Sequence, residues 1–288
     1  MTEFVQALAN YAFLQNALAA GLLASVGCGV VGTYVVVKRI TFLAGGIAHA
    51  VLGGMGIAYY FGARPLTGAV VAALVTALLV GWVTQRWQQQ EDTLVGALWA
   101  VGMAVGILFI SRTPGYSVDL MSYLFGNILM VTRADLYLMA AIDAGILALV
   151  VLFYKPFLAV CFDEEFARLR GVRVGAFYLL LLAMVAITVV LLIQVVGLIL
   201  VIALLTLPAA IAMQYVGSLA RIMGLATLLG AAFTTGGLAL SYAPDLPAGS
   251  TMIVLAGVAY LASTLAQPLR RRLGRRAPKG GRINSPGQ

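Results

Sequence analysis

The chain's single histidine, His49, sits within the apolar stretch AGGIAHAVLGG, and neutral imidazole is the commonest metal ligand among side chains. An ionisable group inside a hydrophobic bundle either lines an ion or proton path or is hydrogen-bonded to a helix carbonyl, because leaving it unpaired costs several kcal/mol. Two acids are similarly placed. Asp119 opens the stretch DLMSYLFGN, where a carboxylate can cap a helix or face a pathway. Asp143 lies about 12 Å, at about 1.5 Å per residue, into the apolar run that begins at Asp135. With no basic residue near it in sequence, it must be protonated, paired across helices or bound to a cation. His49, Asp119 and Asp143 are therefore the candidates for a translocation pathway.

A second constellation is FDEEFARLRGVRVG, residues 162 to 175. Asp163, Glu164 and Glu165 would form a first turn, Arg168 and Arg170 a last turn, and Gly171 a C-cap, so that charges oppose the helix macrodipole at both ends. Phe166 and Leu169, at i and i+3, form an apolar stripe that a soluble partner's groove could accept, a solvated loop helix being the alternative. The cysteines, Cys28 and Cys161, have no CxxC companion and read as packing residues. The methionines lack regular spacing and read as core or lipid-facing residues.

These residues must be positioned by membrane helices. Of 288 residues, 62% are hydrophobic and 10% charged, with a mean hydropathy of +1.02, whereas soluble domains carry about 25% charged residues. The continuous run LLLLAMVAITVVLLI, Leu179 to Ile193, excludes the alternating pattern of an outer-membrane barrel. The expectation is an all-α polytopic bundle of about eight to ten transmembrane helices. Apolar runs place nine spans near 11–37, 45–61, 66–84, 93–111, 135–154, 174–195, 198–216, 220–242 and 248–267. The shorter stretch 117–131 reads as re-entrant. Pro208, inside the seventh span, is expected to kink or break it. Residues 1–268 form the transmembrane domain, with the short charged helix near 163–171, and 269–288 a disordered basic tail. The N-terminus lacks the positive region of a cleaved signal. Five basic connections, around Lys38, Arg86, Lys155 to Arg173, Arg221 and the tail, hold 15 of the 18 basic residues. The positive-inside rule then puts them and the C-terminus in the cytoplasm. A basic segment directly after an apolar helix meets anionic headgroups, so nucleic acid is not implied as a partner.

Several chemistries are excluded. The three lysines follow Val37, Tyr154 and Pro278, so no Walker A lysine follows a glycine. One histidine cannot make HExxH, and GxSxG is absent. The chain thus has no Walker A site and neither hydrolase motif of its own; a permease, not an enzyme, with no bound cofactor, is what the family resemblance of the following stretches implies.

Four stretches in order, KRITFLAGGIAHAVLGG (38–54), DLMSYLFGNILMVTRADL (119–136), FDEEFARLRGV (162–172) and VVGLILVIALLTLPAAIA (195–212), resemble the membrane permease subunits of bacterial ABC importers for zinc, manganese and related divalent metals. The resemblance covers nearly the whole chain. It implies a type II-like importer permease in the bacterial inner membrane, working as a homodimer with two cytoplasmic ATP-binding subunits and an extracytoplasmic metal-binding protein. The divalent ion (zinc or manganese, or iron) is substrate, and ATP is held by the partner subunit. Carried over by position, His49 matches the family's second-helix histidine, thought to contact the metal, and Asp119 the acid opening the DLM-YLFG stretch. The helix from Asp163 to Gly171 matches the coupling helix, which makes Asp163, Glu164, Phe166, Leu169, Arg170 and Gly171 candidate contacts to the ATPase. One departure stands out: many relatives have an Asp one turn before the histidine, and this chain has Gly45, so either another acid such as Asp143 substitutes or the ion passes without tight coordination. Two other readings stay open: a proton-coupled secondary transporter using His49, Asp119 and Asp143, and a permease for a metal chelate.

Overall fold

The computed structural model describes residues 2–87, 91–113, 126 and 128–274. Asp119, most of the 117–131 stretch and the tail beyond Gly274 lie outside them. The described residues form α1 (Thr2–Asn10), α2 (Ala12–Val37), α3 (Thr41–Tyr60), α4 (Pro65–Trp87), α5 (Glu91–Ser111), a 3-10 turn (Ile128–Met130), α6 (Arg133–Leu152), α7 (Tyr154–Phe162), α8 (Glu164–Leu169), α9 (Val174–Val196), α10 (Leu198–Tyr215), α11 (Leu219–Tyr242) and α12 (Ala248–Gly274). Eight helices are long and apolar enough to cross a membrane: α2 to α6, α9, α11 and α12. The apolar part of α10, residues 201–215, is shorter, so eight of the nine expected spans meet that length among the described residues. The last helix runs on to Gly274, into the segment expected to be a disordered tail.

Local chemistry sets the boundaries. Pro65 occupies the first position of α4, where its missing N–H would have been unsatisfied in any case. The start of α6 carries a reciprocal cap: Asp135 Oδ2 accepts from the Thr132 N–H at 3.0 Å, and Thr132 Oγ1 accepts from the Asp135 N–H at 3.3 Å. Of the kink or break expected at Pro208, the break is not found there, since α10 continues through that residue. The break lies at Gly197, whose φ of +78° is open to glycine and ends α9 before α10 begins.

Within a bilayer, helices associate by van der Waals packing, so small residues mark the closest approaches. On α3, a Cβ at Gly53 would lie 2.8 Å from the Gly102 carbonyl oxygen of α5, and one at Gly56 2.5 Å from that of Gly106. These pairs make α3 and α5 two parallel helices in near-constant register. Gly54 of α3 and Gly68 of α4 meet backbone to backbone, as do Gly32 of α2 and Leu205 of α10. The core is formed by α2, α3, α9 and α10, with Tyr34, Ile47, Leu52, Leu181, Leu182, Leu192 and Leu198 almost wholly enclosed.

Two contacts identify one end of the bundle. Lys38, after α2, pairs with Glu164 of α8, and Gln85 near the end of α4 donates from Nε2 to the Gly175 carbonyl at 3.3 Å. The α2–α3 turn, the end of α4, helix α8 and the start of α9 are thus neighbours.

Candidate functional site

His49 is the ninth residue of α3, about 12 Å along the axis at about 1.5 Å per residue. Trp99 is the ninth residue of α5. The glycine contacts that set the register of the two helices bring these side chains level, and the rings stack with centroids 4.1 Å apart and planes 7° from parallel. The indole is itself held: its N–H donates to Met103 Sδ at 3.1 Å, and the Phe42 ring lies 6.0 Å away. His49 Nδ1 is enclosed and has no hydrogen-bond partner among the described residues. Neutral imidazole has one donor and one acceptor nitrogen, so the stacked ring leaves Nδ1 unclaimed by any described residue. One turn earlier, a Cβ at Gly45 would meet Ile202 Cδ1 of α10 at 3.1 Å and Trp99 Cζ3 at 4.0 Å. The place a carboxylate would occupy on this helix face is bordered by an isoleucine methyl and an indole edge.

Asp143 lies in a different interface. It is 5% exposed, and its Oδ1 reaches to 2.9 Å from where a Cβ on Gly27 would stand, with Thr188 Cγ2 3.5 Å from the same point. Its Oδ2 and the Thr188 hydroxyl are both enclosed without a hydrogen-bond partner among the described residues. The carboxyl belongs to the junction of α2, α6 and α9, whereas His49 belongs to the junction of α3 and α5. No group of three or more His, Cys, Asp or Glu side chains is placed to hold a metal ion among the described residues.

Helix α8 presents a different surface. Asp163 is its N-cap, accepting the Phe166 N–H on Oδ1 at 2.8 Å, so the acidic first turn begins one residue later than expected, with Glu164 and Glu165. Arg170 is the C-cap residue, and Gly171 follows at φ +76°, a left-handed conformation that favours glycine. Ala167 is fully enclosed against Val160 and Val174, which anchors the inner side of the helix. On the outer side Phe166 is 50% and Leu169 87% exposed, and the Arg170 guanidinium stands 5.2 Å from the centre of the Phe166 ring. An exposed aromatic–aliphatic pair on a helix capped at both ends is suited to a partner's groove. Nearby, burial pushes the Cys161 thiol up to about 11, with Lys38 opposing and Glu164 reinforcing the shift. That thiol is poorly suited to act as a thiolate ligand.

The model of the ABC 3 transport family matches residues 10–267. The chain belongs to that family. It is 51% identical to an uncharacterized membrane protein of Synechocystis over 90% of this chain and 92% of that protein. It is 33% identical to a manganese transport system membrane protein of Listeria monocytogenes, over 92% and 94%. Among solved structures, PsaBC from Streptococcus pneumoniae in complex with Fab superposes with a TM-score of 0.82 at 32% identity, covering 91% of this chain and 94% of that one.

For an ABC 3 family chain, the structure brings together only part of what the sequence proposed. His49 and the exposed stripe of α8 are both presented. Asp143 is seated away from His49, so the structure does not pair it with the imidazole where Gly45 leaves a gap. Asp119 lies outside the described residues. The partners that sequence reasoning missed are Trp99 and Lys38, which act across 50 and 126 positions of the chain. The recoverable sequence trace of the first is the match between GGIAHAVLGGMG (45–56) and VGALWAVGMAVG (95–106), where glycines recur at similar intervals and bring an aromatic ring level with the histidine.

Proposed function

We propose that this chain is the transmembrane subunit of an ATP-driven importer that moves divalent metal ions into the cytoplasm. It works as a homodimer with two cytoplasmic ATP-binding subunits and an extracytoplasmic metal-binding protein. The observation that carries this reading is the exposed pair Phe166 and Leu169 on the doubly capped helix α8, in a chain matched over nearly its whole length by a transport family. Helix α8 docks on the ATPase, and the end of the bundle that bears it, together with the C-terminus, faces the cytoplasm, as its cluster of basic residues supports. His49 is the metal-contacting residue of the path. A path must bind its ion weakly enough to release it, so one stacked imidazole with few further donors suits transit better than a closed cage. The chain supplies no ATP site, and hydrolysis belongs to the partner.

The test is gentle detergent purification from the native membrane, with mass spectrometry of the proteins that accompany the chain. A P-loop ATPase recovered near one-to-one, whose hydrolysis a divalent metal with its binding protein stimulates, is the expected result. A clean homo-oligomer under conditions that preserve other importers overturns the reading in favour of a secondary transporter.

A further inference from the structure

Lys38 holds an unusual position. It follows the last turn of α2, and its successor Arg39 adopts φ +61°, a left-handed turn closed by the Ile40 N–H donating to the Val35 carbonyl at 3.0 Å. The chain then enters α3. From this turn the lysine side chain reaches toward the long loop: Nζ donates to the Val160 carbonyl of α7 at 3.0 Å, pairs with Glu164 of α8 and stands 5.8 Å from the centre of the Tyr178 ring on α9. Its side chain is 15% exposed against 42% for Glu164. A cavity of about 380 Å³ lies beside it, bordered by Gln85, Arg168 and Tyr178 among others. Among the described residues, the Lys38–Glu164 pair is the only ion pair that joins two different helical segments, the other being Glu164–Arg168 within α8.

We infer that Lys38 is a positioning residue for transport: the strut through which movement of α8 reaches α3 and its histidine. The inference rests on the reading of α8 as the ATPase-docking helix. The geometry supplies the link. Apolar anchoring through Ala167 ties α8 to α7 and α9, and α9 packs on α3, but only the turn at Lys38 leads directly into the helix that carries His49. The lysine adds a charged connection from α8 to the α2–α3 turn, eleven residues before His49 in the middle turns of α3. Separating a largely enclosed ammonium from its carboxylate and carbonyl carries a desolvation cost, which favours joint movement of the three segments. Coupling between distant sites can be carried by such a physical connection between discrete elements.

The experiment uses the full complex, with ATPase subunits and metal-loaded binding protein, reconstituted in liposomes. ATP hydrolysed and metal accumulated are measured in the same vesicles. Lys38→Met should raise the ATP consumed per metal ion by about tenfold, an ordinary size for a coupling effect, while subunit recovery and basal hydrolysis stay unchanged; Glu164→Gln, on the docking helix itself, should raise the same ratio. Lys38→Arg, which keeps the charge and the donors, should restore a near wild-type ratio. A role in stability alone would lower subunit recovery and leave the ratio of the surviving complexes unchanged, which overturns the inference. A wild-type ratio in both Lys38→Met and Glu164→Gln also overturns it. A separate arm places a cysteine by Leu169→Cys for crosslinking to the ATPase. Failure to crosslink removes the docking reading and the strut with it, whereas crosslinking with a wild-type ratio in Lys38→Met removes the strut alone.

Discussion

Stacking of Trp99 on His49 leads to a quantitative expectation. The two rings are 4.1 Å apart and nearly parallel, and the imidazole has no hydrogen bond among the described residues to fix Nδ1. The indole face therefore sets the ring's orientation. An aromatic pair contributes about 0.5–1.5 kcal/mol beyond area burial. At about 1.4 kcal/mol per tenfold, its loss corresponds to a two- to twelve-fold change, roughly, in the metal concentration that half-saturates uptake. Trp99→Leu retains most of the apolar volume between α3 and α5 and removes the ring, whereas Trp99→Phe retains a ring face. The assay is uptake of radioactive zinc or manganese into liposomes holding the complete complex, over a range of metal supply, with the subunit content of each preparation quantified. Trp99→Leu should fall within the two- to twelve-fold band, and Trp99→Phe within about twofold of wild type, by the same pair energy. If Trp99→Leu takes up metal with the wild-type concentration dependence, the stack does not position His49. If Phe and Leu are equally impaired, the indole N–H bond to Met103 matters and not the ring face.

The other expectations concern docking, selectivity and packing. Phe166→Asp replaces a half-exposed anchor with a charge, so the ATPase should be lost on purification, by about thirtyfold or more in affinity if Phe166 is a 2 kcal/mol contact, while the chain elutes from size exclusion as wild type; full ATPase recovery and uptake would count against α8 as the docking surface. Gly45→Asp would set a carboxylate one turn from His49 at the cost of moving the Ile202 methyl, which lies 3.1 Å from the new Cβ. Carboxylates favour manganese more than imidazole does, so manganese uptake should rise relative to zinc in a two-isotope competition, and an unchanged ratio argues that His49 does not contact the ion. Gly32→Ala drives a methyl into the Leu205 carbonyl; overpacking of this kind costs about 1–3 kcal/mol, and a drop in folded chain by detergent size exclusion is expected, whereas wild-type yield and melting temperature would show that α2 and α10 are less tightly held.

What could be read from the sequence follows from the range of each interaction. The membrane helices were legible because a lipid solvent forces about 20 apolar residues into each span. The α8 helix was legible because caps act within three or four residues: Asp163 meets the Phe166 N–H and Gly171 takes the left-handed angle. Pro208 shows the opposite. One missing N–H looked decisive locally, yet α10 runs through it, and Gly197 ends the preceding helix. The site was legible only at His49, whose type is unique in the chain. Its neighbours come from other helices, and no local pattern states that Trp99 covers the ring or that Asp143 turns toward Gly27. In a bundle, which faces meet is decided by where backbones can approach, and that depends on pairs of small residues far apart in sequence.

The same glycine pairs constrain how the molecule can move. Between α3 and α5, Gly53 and Gly56 rest directly on the backbone of Gly102 and Gly106, a backbone-to-backbone contact that favours joint movement of the two helices. On the linkage proposed for Lys38, a displacement entering at the α2–α3 turn carries α5 along and keeps the His49–Trp99 stack intact. The stack is then part of the moving body and not a latch that opens on each cycle. The contact between Gly45 and Ile202 differs, since there a flexible side-chain end faces a glycine, and α10 begins shortly before it, directly after Gly197 at φ +78°. Small shifts are taken up where packing offers discrete alternatives. Around the imidazole, the α5 side is packed backbone to backbone and the α10 side through the end of the Ile202 side chain.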